Sequence, residues 1–169
     1  MGEAVRLLGV DPGLRLTGYA VVDAGAGRWD PALVEAGVIR LDASASVQRR
    51  LVQLRDDLRS VIDELRPERA AVETLFAHVK HPRTAILMGH ARGVILMEIA
   101  SAGMPIDQLT ATAVKKSLTG GGHASKGQVQ RAVQSQLGLA EPPEPPDVAD
   151  AIAIALCAGR RLAVEGLGR

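Results

Sequence analysis

Leu7-Leu8-Gly9-Val10-Asp11-Pro12-Gly13 is an unbroken apolar run that stops on a carboxylate and enters a turn. A short continuous apolar segment bounded by turn residues reads as a strand buried on both faces. Asp-Pro-Gly is strong turn chemistry, and Thr17-Gly18-Tyr19-Ala20-Val21-Val22-Asp23 follows as the return strand. Working outward, residues 5–11 and 17–23 pair, Ala24 to Pro31 reads as a second turn, and Leu33 to Leu41 supplies a third strand. That is an antiparallel meander. The next period is helical: Val47, Leu51, Leu54, Leu58, Val61, Ile62 and Leu65 share one face, and Pro67 ends it. Arg69 to Glu73 is another short apolar strand closing on a carboxylate. A helix from about Arg83 to Ala102, a strand from Pro105 to Leu109, and helices at about 112–118 and 125–137 come next. The stiff segment Glu141-Pro142-Pro143-Glu144-Pro145-Pro146 delivers the chain to a last helix. The expected fold is α/β: a five-stranded mixed sheet, three antiparallel strands then two parallel ones, with helices on both faces. Residues 1–169 are expected to form one domain.

Composition narrows the function. Aromatics are 2% of the chain, one each of Trp29, Tyr19 and Phe76, so the core must be aliphatic and an exposed aromatic calls for a specific reason. One cysteine, Cys157, excludes an internal disulfide. With no bilayer-length apolar run and no signal-peptide pattern, a cytoplasmic protein without membrane contact is expected. Net charge is +1, yet between His78 and Arg131 seven cations face only Glu98 and Asp107, leaving the remainder at about −4. A localised positive field of this kind is the footprint of phosphate binding, although a solvated basic surface would look the same.

Four carboxylates demand an explanation. Asp11 and Glu73 end strands, and ligands of α/β sheets gather beyond such ends. Asp147 and Asp150 lie at i and i+3 on the last helix and therefore share a face. An aspartate can also serve its own turn, a glutamate can cap a strand, and a first-turn aspartate gains from the helix dipole. The dipole accounts less well for Asp150. Brought together, four carboxylates either take up protons or bind cations, and an all-oxygen set suits Mg²⁺ or Mn²⁺. Phe76, three residues beyond Glu73 in a polar loop, either stacks on bases or anchors that loop. Lys115, Lys116 and Lys126 flank Gly120-Gly121-Gly122, and Ser125 is placed to cap the helix that carries Lys126. Arg83 adds a further cation for DNA.

Several stretches together resemble the RuvC family of bacterial Holliday-junction resolvases. They are Gly9-Val10-Asp11-Pro12-Gly13, Thr17-Gly18-Tyr19, Val72-Glu73-Thr74-Leu75-Phe76, Ala91-Arg92-Gly93, Val114-Lys115, Lys126-Gly127-Gln128-Val129 and Asp147-Val148-Ala149-Asp150-Ala151-Ile152-Ala153. They occur in order over almost the whole chain. The resemblance implies a ribonuclease-H-like fold, a homodimer and a divalent-metal endonuclease resolving four-way DNA junctions alongside a branch-migration helicase complex. It places the catalytic, metal-holding tetrad on Asp11, Glu73, Asp147 and Asp150, junction stacking on Phe76, and backbone contacts on Lys115 and Lys126. His81 and His90 depart from the family pattern, standing where asparagine and glutamine are usual. Two metals per site would activate water and support the leaving oxygen, giving 5′-phosphate and 3′-hydroxyl ends. The helix from Arg83 to Ala102, through Ile86, Leu87, Gly93, Val94 and Met97, is the expected dimer face, with core burial of the same residues as the alternative. The rival readings are a ribonuclease H, a sugar-kinase-like ATPase for which 169 residues leave no second half, and a non-catalytic junction-binding module.

Overall fold

The computed structural model describes residues 4–25, 28–75 and 82–167. Strands β1 (Ala4–Asp11), β2 (Leu16–Gly25) and β3 (Arg28–Arg40) form the meander, and α1 (Val47–Leu65) leads to β4 (Arg69–Glu73). Helix α2 (Pro82–Ser101), β5 (Ile106–Leu109), α3 (Ala111–Thr119), α4 (Lys126–Leu137) and α5 (Pro146–Leu167) complete it. The sheet order is β3-β2-β1-β4-β5, with β4 parallel to β1 and β5 parallel to β4.

The apolar run of β1 is buried on both faces, as its composition requires. Leu7 packs into a core shared with α3, α4 and α5, whereas Leu8 and Val10 enter the opposite core under α1 and α2. Helix α1 buries Leu54, Leu58 and Ile62. Ser46 caps its start by accepting the Arg49 N–H, and Arg66 closes its end in the left-handed region at φ 52°. A second tie between α1 and α2 is ionic. Arg59 donates Nε and Nη2 to the two oxygens of Glu98 at 2.7 and 3.1 Å, satisfying a carboxylate that is only 4% exposed.

The largest difference from expectation is β3. It begins at Arg28, five residues before the expected Leu33, and Pro31 lies inside it. Proline generally marks a turn, but β3 is the outermost strand, where a missing N–H breaks no ladder. Instead the Pro31 ring packs against Gly159 of α5, where a Cβ would collide with it. Of the apolar residues expected on the dimer face, Leu87 and Val94 lean into the core beneath α2, while Ile86, Gly93 and Met97 are exposed. Among the described residues, no helix is long and apolar enough to cross a membrane.

Candidate active site

Asp11 and Glu73 are the last residues of adjacent parallel strands. Val10 pairs with Val72, so the two carboxylates leave the sheet side by side. The turn after Asp11 is held by Thr17, which is fully buried: its hydroxyl donates to the Gly13 carbonyl at 2.6 Å and accepts the Gly13 N–H at 3.3 Å. Asp147 lies in the first turn of α5 and Asp150 one turn further on, on a helix that lies directly on the sheet. Two glycines allow this approach. A Cβ at Gly9 would stand 2.7 Å from the Ala151 carbonyl oxygen and the Ala155 nitrogen, and one at Gly18 would collide with the Asp147 carbonyl.

All four carboxylates line one cavity of about 470 Å³, together with Lys115 from α3 and Lys126 from α4. Burial, then repulsion from Asp150, Glu73 and Asp147, pushes the Asp11 carboxyl up to about 8, with Lys126 opposing. Glu73 is raised by burial and by Asp150, against Lys115 and Lys126. Asp150 is also raised chiefly by burial. Lys126 is the main opposing influence, its Nζ lying 3.8 Å from the Asp150 carboxylate, and Asp147 adds to the rise. Lys126 is largely exposed, so this ion pair is screened and contributes little to stability. Among the described residues the carboxylates ring the cavity without closing into a ready-made ligand set of three. As a donor set they are oxygen-only and strained by mutual repulsion, which a hard divalent cation relieves.

Not every expected residue arrives here. Lys116 follows Lys115 on α3 but lines a separate groove, and Arg83 is exposed at the start of α2 and absent from the cavity lining. Phe76 and His81 lie outside the described residues, while His90 is exposed on α2. Three contributors escaped the sequence reading. Arg15 lines the cavity from the β1–β2 turn. Arg92 of α2 donates Nε to the Glu73 carbonyl at 3.1 Å and Nη2 to Gln108 of β5 at 2.6 Å. Thr74 donates both its N–H and its hydroxyl to the Leu109 carbonyl, at 2.8 and 3.2 Å. Glu73 is thus held through its own carbonyl and through Thr74; Arg92 and Thr74 stand in stretches that carry the family resemblance, but their contacts with backbone atoms gave no sign of this role in the sequence.

Residues 7–158 match the family described as crossover junction endodeoxyribonuclease RuvC. A protein of that name from Rhodopirellula baltica is 49% identical over 156 residues, covering 92% of this chain and 86% of the relative. One from Moorella thermoacetica is 44% identical, covering 89% of each. Among solved structures, a Thermus thermophilus RuvC in complex with Holliday junction substrate superposes with a TM-score of 0.85 at 32% identity, covering 95% of this chain and 96% of that one. With the family match spanning both strand-end carboxylates and the start of α5, the chain belongs to the RuvC family of crossover junction endodeoxyribonucleases.

Proposed function

We propose that this chain, as a single domain, is a divalent-metal-dependent endonuclease that resolves four-way DNA junctions by paired, symmetric nicks. The observation that carries the reading is the convergence of Asp11, Glu73, Asp147 and Asp150 on one cavity walled by Lys115 and Lys126. The relative solved with a Holliday junction substrate supports the same substrate class here.

The four carboxylates would hold Mg²⁺ or Mn²⁺, two ions per site. When bound, such ions activate the attacking water and stabilise the leaving oxygen of an in-line phosphodiester displacement. The chain's own part is placement. Strand ends and a helix start fix the carboxylates on backbone that cannot drift. Lys115 and Lys126 draw the phosphate backbone towards anions that would otherwise repel it. Phe76 and Arg83 would extend the DNA contact, whereas Lys116, expected with them, lines a separate groove. A twofold dimer would present two such cavities to a twofold junction, so that cuts are paired and leave 5′-phosphate and 3′-hydroxyl ends. The exposed side of α2, bearing Ile86 and Met97, is the assigned dimer face. A branch-migration helicase complex and a cytoplasmic setting complete the reading.

The test is nicking of a synthetic four-way junction against duplex and RNA–DNA hybrid controls. Junction cleavage with Mg²⁺ or Mn²⁺ is expected, and Asp11→Asn, Glu73→Gln and Asp150→Asn should abolish it while retaining junction binding. In the wild type Mn²⁺ should raise the melting temperature, and the amides should blunt that rise. Cleavage of the hybrid alone would point to a ribonuclease H, and binding without nicking to a non-catalytic module.

A further inference from the structure

The one tryptophan of this aromatic-poor chain does not belong to the core. Trp29 is 56% exposed near the start of β3, and Val164 on the last turns of α5 is 53% exposed. The two line a groove of about 410 Å³ with Lys116 of α3 and Arg161 of α5, and the buried thiol of Cys157 is part of the same lining. The groove is pre-organised. Arg160 donates to Asp30, the neighbour of Trp29, at 2.8 Å, to the Ser117 carbonyl at 2.8 Å and to Gln136 at 2.7 Å, bracing β3, α3 and α4 against α5. Asp30 therefore neutralises Arg160, whereas Lys116 and Arg161 form no ion pair among the described residues. The result is an apolar pair, Trp29 and Val164, beside two uncompensated cations.

The position argues against the cleaved strand as its occupant. Asp11 pairs with Gly18 at one end of the β1–β2 ladder, whereas Gly25, which pairs with Ala4 at the other end, also pairs with Arg28 beside Trp29. Seven strand residues at about 3.3 Å each separate the two ends, roughly 23 Å. A base-paired arm at that distance offers no unstacked base to an indole ring, while tryptophan and arginine together are the residues that anchor protein interfaces.

We infer that this groove docks an acidic segment of another protein, one that places an apolar side chain between Trp29 and Val164 and carboxylates against Lys116 and Arg161. The exclusion of the cleaved strand rests on the proposed nuclease reading, whereas the groove and its charges stand without it.

Because Trp29 is the only tryptophan, its fluorescence reports the groove directly. The probe is a short synthetic peptide rich in glutamate with leucine anchors, and its control has the leucines replaced by serine. Titration of the full-length protein should shift the Trp29 emission saturably to shorter wavelength, and the serine peptide should not. Arg161→Glu and Val164→Asp should each weaken binding by at least about tenfold while junction nicking is unchanged. No shift, or a shift indifferent to both substitutions, would overturn the assignment. The same shift produced by duplex DNA would make the groove a nucleic-acid surface. An emission that moves on dilution of the protein alone would make its occupant a second copy of the chain.

Discussion

Asp11 is the side chain most strained by its surroundings, and the strain has a sign that can be measured. Unfolded, its carboxyl releases a proton near the ordinary 3.8, but folded it holds that proton to about 8. Between those limits the native state binds more protons than the unfolded chain, so stability falls as pH rises and the penalty is complete above about 8. Metal-free protein should therefore lose melting temperature from about pH 5 to about pH 8. Asp11→Asn should flatten that slope and melt above wild type at the alkaline end, by on the order of 1 kcal/mol or more, roughly 2–4 °C. Thermal melts in chelator across this range would check it, and parallel profiles for the two proteins would show that Asp11 is not the group responsible. Asp11 and Glu73 were legible because each ends an apolar run, and Asp147 and Asp150 because they share one face at the start of an otherwise apolar helix. Lys115 and Lys126 were legible from the local excess of cations. The different placement of Lys116 was not, because adjacent helical positions point about 100° apart and only packing decides which of them meets the cavity.

At the level of elements, Arg92 ties α2 to the paired ends of β4 and β5. Its partner at Glu73 is the main-chain carbonyl, so it sets where the carboxylate starts rather than where it points. Removing such a support typically costs 10–100-fold in activity or metal affinity. Arg92→Ala should slow nicking by about that factor and raise the Mn²⁺ concentration needed for half the thermal shift, with junction affinity nearly unchanged. Arg92→Lys should recover only part, since one ammonium cannot reproduce the fork. Wild-type nicking by Arg92→Ala would show that the carbonyl needs no anchor. The elements themselves were readable where one period dominates. Helix α1 announced its buried face at Leu54, Leu58 and Ile62, and β4 its ends at Arg69 and Glu73. The start of β3 was not readable, because Pro31 means a turn in general and an edge strand only when the sheet order is known.

Across the whole molecule, one face of α2 is left uncovered among the described residues. Ile86 is 60% and Met97 50% exposed, and a Cβ at Gly89 or Gly93 would meet nothing within 4 Å. Ile86→Lys and Met97→Glu together should leave the protomer's melting temperature within about 1 kcal/mol of wild type, as surface changes do. They should yield a monomer by sedimentation and uncouple the two nicks of a junction. A dimer surviving both substitutions would move the interface elsewhere. The opposite face of the sheet holds a different lesson. Helix α5 rests on β1 and β2 main chain with only hydrogen atoms between, at Gly9 and Gly18. The gap between the strand-end carboxylates and those on α5 is therefore a machined clearance, set by the thickness of two backbones and not by any side chain. The set of positions that can spoil the site is wider than the ring of charges around it. A single methyl at Gly18 would shim the first turn of α5 outward, and in a genetic screen it would score as a lost metal ligand although every carboxylate was still in place.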